Sequence, residues 1–318
     1  MNQLVTLAGA HVPALVAAAG DRAAYRFLEF FTAQIRNPNT KRAYVRGVSE
    51  FCIWLEAEGL RSITAVSSVH IAAYIEDLGR RVSAPTVKQR LAAIRMMFDW
   101  LATGGVLPFN PASAVRGPKH VAKRGKTPVL APDEARRLID SIDVSTPAGL
   151  RDRALIGLMV YTFARIGAAS AMCVGDVYVQ NRRLWVRLHE KGGKAVDLPC
   201  HHNLETYLQA YLDGTAIAGD TDGPLFRTVG RGTRHLTRTA LPSANAYAMV
   251  QRRAKAAEIE TRIGNHTFRA TGITAYLKNG GTLERAAVIA NHASTRTTQL
   301  YDRRSDEVNL DEIERILI

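Results

Sequence analysis

Cysteine, long apolar runs and acidic residues are all scarce in this chain, and each shortage narrows what it can be. The three cysteines, Cys52, Cys173 and Cys200, are an odd number without a C-x-x-C pair, which argues against a disulfide framework and for reduced thiols in a cytoplasmic compartment. Cys200-His201-His202 groups three potential ligands, but no partner pair stands at ligand spacing. The cluster therefore reads as a strand end, and neither a metal nor a cofactor is expected. The longest apolar stretch, Ala154 to Ala164, is too short to span a bilayer. The opening MNQLVTLAGAHVPALVAAAG has no basic residues before its apolar part, so neither export nor membrane insertion is expected. No internal repeat or low-complexity tract is present.

What the chain does have is apolar mass and positive charge. Its 318 residues, 47% of them hydrophobic, suffice for about two domains with real cores. Lys and Arg number 42 against 29 Asp and Glu, a net charge of +13. The excess is uneven: residues 1 to 126 hold 17 basic and 8 acidic side chains, and the remainder 25 and 21. A polyanionic partner fits that asymmetry.

A seam crosses the chain at NPASAVRGPKHVAKRGKTP, residues 110 to 128, which is rich in Pro, Gly and basic residues and lacks apolar periodicity. Before it, Tyr44, Val48, Phe51, Cys52 and Leu55 follow helical spacing, as do Val87, Leu91, Ile94, Phe98 and Leu101. A small all-α domain is the expectation. Lys41, Arg42 and Arg46, with Lys88, Arg90 and Arg95, stand near helix starts marked by Thr40 and Pro85 and are candidates to grip phosphates.

Beyond the seam the pattern is mixed. Pro132 opens a helix through Ile142, Arg151 to Phe163 reads as a buried helix, and Leu184, Val186 and Leu188 alternate toward a Gly192-Gly193 turn followed by Val196 and Leu198. That is a β-hairpin with Lys191 and Lys194 flanking its tip. Leu204, Tyr207, Leu208, Tyr211 and Leu212 restore helical spacing, and Ser243 starts another helix. His266 and Arg269, three apart, share a helical face that Gly280-Gly281 terminates. His292 ends a short helix begun at Thr282, and Tyr301, one of ten tyrosines, stands among hydroxyls and arginines instead of apolar neighbours. Arg165 follows its buried helix abruptly, a place where a permanent charge is costly unless it meets an anion.

These residues carry a resemblance. Arg165 in YTFARIGA, Lys191 in HEKGGKAVDLP, His266 and Arg269 in HTFR, His292 in NHAS and Tyr301 in TTQLYD stand in the order and spacing of the tyrosine recombinase, or phage integrase, family, most like its Xer-type members. The resemblance implies a mainly α protein with a small β-sheet, closing as a C-shaped clamp on double-stranded DNA. Its parts would be an N-terminal extension at 1–21, a helical core-binding (SAM-like) DNA-binding domain at 22–112, a basic linker at 113–128, a mixed α/β catalytic domain at 129–304 and a helical tail for protomer contact at 305–318. The implied chemistry needs neither metal nor ATP. Arg165 and Arg269 clamp the non-bridging phosphate oxygens, His266 and His292 bond the same phosphate and move protons, and Tyr301 attacks phosphorus. Lys191 protonates the leaving oxygen, with Lys194 as the alternative. A dimer on one site, a tetramer in synapsis and accessory DNA-bending proteins are the implied partners. Integration, excision and dimer resolution use the same residues.

Two departures stand out. The family usually has an acidic residue three after its first arginine, and here that position is Ala168; Asn291 stands where a glycine commonly precedes the histidine, and Asn tolerates left-handed backbone. Ala168 is the feature that favours a rival reading, a DNA-binding regulator of the same fold without useful chemistry. A type IB topoisomerase-like enzyme would share the chemistry without partner exchange. A metal-dependent nuclease using the histidines lacks the carboxylate cluster such sites need. The tail SDEVNLDEIERILI has a capping-box pattern at Asn309 and Glu312, with Leu310, Ile313 and Leu317 on one face, and is expected to form a short helix docked on its own domain or on a neighbour.

Overall fold

A computed structural model describes residues 11–121, 125–190, 193–303 and 313–314. Mainly helical, it divides into two compact units, Met1–Val121 and Ala122–Ile318. Among the described residues no helix is long and apolar enough to cross a membrane.

In the first unit, helices α1 (Ala14–Ala17), α2 (Asp21–Glu29), α3 (Pro38–Ala57), α4 (Ser68–Arg81) and α5 (Ala84–Thr103) surround one apolar core. The α3 start expected near Thr40 lies at Pro38. Asn37 caps it, its Oδ1 accepting from the Asn39 and Thr40 N–H groups at 3.0 and 3.1 Å, and Pro38 has no N–H to waste. Phe51 of α3 meets Tyr74 of α4 at 5.0 Å and Phe98 of α5 at 6.2 Å between ring centroids, so one aromatic ties three helices.

The second unit is built around α7 (Pro147–Tyr161), whose start is capped by Thr146 and which is buried over most of its length. It is flanked by α6 (Pro132–Asp140), which ends before the expected Ile142, and by the five-residue α8 (Ile166–Ser170). A three-stranded antiparallel sheet follows, β1 (Val177–Gln180), β2 (Arg183–His189) and β3 (Ala195–Pro199) in that order. Leu184, Val186 and Leu188 of β2 all face the core, as their alternation requires. The first strand had no signature in the sequence, because its turn uses Asn181 and Arg182, both at positive φ (50° and 60°), in place of the glycine such turns favour. Cys200 and His201 do sit at a strand end: His201 caps α9 (His202–Thr215), its Nδ1 accepting from the Asn203 N–H at 3.2 Å, and stacks on Tyr161.

A second pair, β4 (Arg227–Val229) and β5 (Leu236–Ala240), precedes α10 (Ser243–Ala256), α11 (Asn265–Lys278), α12 (Leu283–Ile289) and α13 (Thr295–Gln299). Charge pins α10 to α7. Buried Asp152 receives Arg151 on one oxygen (2.6 and 3.0 Å) and Arg253 on the other (2.8 and 3.0 Å). All three charges are therefore paired and hydrogen-bonded, the condition under which burial is tolerated.

Helix α11 approaches the end of α7 closely enough that only a hydrogen fits at position 272: a Cβ there would lie 2.1 Å from the Val160 carbonyl oxygen and 2.8 Å from the Phe163 ring. Gly272→Ala must push α11 away, at a cost of about 1–3 kcal/mol. Thermal denaturation should show a lower Tm for this variant, and an unchanged Tm would mean that the helices are not held at this distance.

Candidate active site

Two helix ends, one loop and one hairpin converge on a single cluster of polar side chains. The first turn of α11 is fixed by Thr267, whose Oγ1 accepts from the Gly264 N–H at 3.1 Å, and it presents His266 and Arg269 on one face. The chain leaves α7 through Phe163, a non-glycine residue in left-handed backbone (φ 54°), and Arg165 then stands at the N-cap of α8. Asn291, at φ 46°, ends α12 and sets His292 in place; the His292 N–H reaches the Ala287 carbonyl at 2.9 Å. Tyr301 follows α13, its N–H on the Thr298 carbonyl at 2.8 Å and its own carbonyl accepting from Thr274 Oγ1 at 2.9 Å.

The Tyr301 hydroxyl is 2.6 Å from His266 Nε2, and its ring stacks on His292 at 5.8 Å between centroids. Arg269 is the most buried charge of the site, 1% exposed. Its Nη1 donates to the Phe163 carbonyl, while Nη2 donates to the Ala290 carbonyl at 2.5 Å and to His292 Nε2 at 2.6 Å. Among the described residues its Nε has no partner. Arg165 is more open, 41% exposed at its side chain, and its Nη1 donates to Glu190 Oε2 at 2.7 Å.

These contacts decide a tautomer. A guanidinium only donates, so His292 Nε2 accepts from Arg269, and the ring proton sits on Nδ1, where it donates to Thr298 Oγ1 at 2.8 Å. Charge agrees: burial first, then the neighbouring Arg269 and Arg165, push the His292 pKa down from 6.5 to about 4. His266 is lowered too, by burial and then by Arg269 and Arg165. Burial first, then the neighbouring Arg165, lower Arg269 to about 10, opposed only in part by Tyr301 and Glu190. Both imidazoles are therefore neutral acceptors near neutral pH, and the guanidiniums hold the positive charge.

The structure thus brings Arg165, His266, Arg269, His292 and Tyr301 together. Lys191 lies outside the described residues, as does most of the tail, where only Ile313 and Glu314 are described. Lys194 is exposed on the hairpin, its carbonyl accepting from the Glu190 N–H at 2.8 Å. In the first unit Arg42, Arg46 and Lys88 are exposed and Lys41 partly so. Arg42 and Arg46 hold surface partners, Asn39 at 3.1 Å and Glu50 at 2.8 Å, and two further candidates are folded back into the unit. Arg90 is 7% exposed, bonded to the Ala43 carbonyl at 2.9 Å and to Glu50 at 3.1 Å, having crossed α3 where Gly47 leaves room. Arg95 donates to the Ala112 and Val115 carbonyls and so fastens the segment after α5. Helical spacing identifies the face a residue occupies but not whether its head folds back onto backbone. Glu190 and Thr298 went unnoticed in the sequence for a similar reason: both act on site residues through contacts that no motif or periodicity encodes.

The result is a tyrosine hydroxyl bonded to an imidazole, beside two guanidiniums and a second imidazole, in a helical unit with a small sheet. Residues 128–307 match the model of the phage integrase family and residues 25–105 that of the phage integrase N-terminal SAM-like domain. The chain belongs to the phage integrase family. It is similar to the tyrosine recombinase XerD of Corynebacterium glutamicum, with 29% identity over 274 residues that cover 83% of this chain and 86% of that one. In fold it resembles the XerH site-specific recombinase bound to palindromic difH substrate in a post-cleavage complex (TM-score 0.74, 17% identity, covering 96% of this chain and 97% of that one). A lambda integrase tetramer bound to a Holliday junction shares the fold as well (TM-score 0.67, 17% identity, covering 90% and 79%).

Two measurements check this geometry. His292 takes a proton in the unfolded chain near pH 6.5 but in the folded chain only near pH 4, so the unfolded state binds more protons between those values. Its contribution to stability is complete above about pH 6.5 and is lost as the pH falls toward 4. Tm should accordingly fall across this window, and His292→Gln, whose amide oxygen still accepts from Arg269, should flatten the fall; parallel curves would refute the assignment. In the first unit, Arg90→Ala leaves the Ala43 carbonyl without its donor and removes one of the two arginines on Glu50, and should cost about 1–3 kcal/mol. Arg46→Ala, at an exposed position, should stay within about 0.5 kcal/mol in the same denaturant titration.

Proposed function

We propose that this chain cleaves and rejoins DNA strands at specific sites through a covalent tyrosyl intermediate, with Tyr301 as the nucleophile. The observation that carries this reading is the 2.6 Å contact between the Tyr301 hydroxyl and His266 Nε2, a neutral imidazole aimed at the one proton the reaction must remove. Tyr301 Oη attacks phosphorus while His266 accepts its proton, and the bond to the 5′-oxygen breaks. The products are a 3′-phosphotyrosyl ester and a free 5′-hydroxyl, so bond energy is conserved and rejoining needs no ATP.

The charge that develops on the phosphate is met by Arg165, whose Nε and Nη2 are not taken up by Glu190, and by the unpartnered Nε–H of Arg269. A guanidinium suits this role because it offers parallel donors to two phosphate oxygens. Lys191, or else Lys194 four residues from Glu190, supplies the proton to the leaving oxygen. Exposed Arg42, Arg46 and Lys88 with Lys41 make the first unit a phosphate-binding surface, and affinity resting on such contacts falls steeply with salt. Double-stranded DNA is the substrate, and a dimer on one site with a tetramer in synapsis is the working assembly; the lambda integrase tetramer on a Holliday junction supports the latter by analogy of fold.

A duplex nicked beside the cleavage point traps the covalent intermediate on a denaturing gel. Wild-type protein should form the adduct with or without EDTA, and Tyr301→Phe should bind duplex normally yet form none. An adduct with the Phe variant would assign the attack to another residue, and loss of the wild-type adduct on chelation would require a metal.

A further inference from the structure

Arg165 occupies the open side of the site, and something must hold its guanidinium toward the phosphate. Three residues on, where the family usually places an acid, Ala168 is buried on α8 and offers only a methyl group. A carboxylate reaches Arg165 from elsewhere. Glu190 sits just beyond β2, its side chain 5% exposed, with Oε2 2.7 Å from Arg165 Nη1. Its N–H closes the hairpin on the Lys194 carbonyl at 2.8 Å. The residue after it is Lys191.

We propose that Glu190 is a positioning residue that replaces, from the hairpin, the acid missing at Ala168: it orients Arg165 on the phosphate and ties that orientation to the β2–β3 hairpin. This rests on the reading of Arg165 as a phosphate ligand. A buried carboxylate holds its partner only if the pair stays matched, since either charge alone would be costly there. By occupying Nη1 alone, Glu190 leaves the Nε and Nη2 donors of Arg165 to face a phosphate. The pairing also connects two parts of the site that the backbone does not connect directly, the turn after α7 and the β2–β3 hairpin.

The test is single-turnover cleavage of the nicked duplex, with duplex affinity and Tm measured in parallel on the full chain. Glu190→Gln should cleave about 10- to 100-fold more slowly, the size of effect that loss of an orienting partner produces, with affinity changed less than about 2-fold. Glu190→Asp, which keeps the charge one methylene short, should fall between wild type and Glu190→Gln. Adding Ala168→Glu to Glu190→Gln returns a carboxylate to the first turn beyond Arg165 and should recover at least about one-fifth of the lost rate. A Glu190→Gln protein that cleaves at the wild-type rate overturns the proposal. One that cleaves faster overturns it too and shows that Glu190 competes with phosphate for Arg165. A double variant no faster than Glu190→Gln at equal Tm also overturns it, as does a loss of rate matched by equal losses of affinity and Tm. Absence of any adduct from wild-type protein would instead sink the recombinase reading itself.

Discussion

A guanidinium placed in the interior governs this active site. Arg269 is almost fully buried, and a charge there is tolerated only where acceptors meet it, as they do at both terminal nitrogens. Its three acceptors come from two separate places: the carbonyl of Phe163 at the exit of α7, and the carbonyl of Ala290 with the imidazole of His292 at the end of α12. Satisfying one side chain thus requires the exit from α7, the start of α11 and the end of α12 to meet at fixed distances. The left-handed backbone at Phe163 and Asn291 and the bare Cα of Gly272 occur where these elements meet.

The same charge organises the protons. Burial and the two arginines keep His266 and His292 neutral, so one imidazole is free to accept from Tyr301 and the other from Arg269. Thr298 completes the second relay by accepting from His292 Nδ1, and its backbone carbonyl receives the N–H of Tyr301. The nucleophile and the histidine beside it are therefore placed by one residue. Positive charge remains on groups that cannot move protons at neutral pH, which separates electrostatic stabilisation from proton transfer.

Much of the local structure was legible in the chain. Helical spacing in Val87, Leu91, Ile94, Phe98 and Leu101 marks α5, whose buried face contains all five. Period-2 alternation marks β2, and the three-residue step from His266 to Arg269 places both on one face of α11. Other elements carried no such signal. Strand β1 turns through Asn181 and Arg182 instead of glycine, and the β4–β5 pair is short, with a shift of register between Arg227 and Val229. Arg90 and Arg95 matched the pattern of exposed basic residues yet fold back onto carbonyls of their own unit.

By itself the sequence determined the elements and the inventory of the site, because spacing along a helix or strand follows from local geometry and a motif records which chemical groups are present. Tertiary structure alone decided how those groups are partnered. That Glu190 reaches Arg165 across twenty-five residues, that Arg269 sets the tautomer of His292, and that a carbonyl of a strained Phe163 holds Arg269 all depend on contacts between distant segments. Such contacts are chosen by the need to satisfy buried charge and by close packing, and neither leaves a periodic trace in the chain.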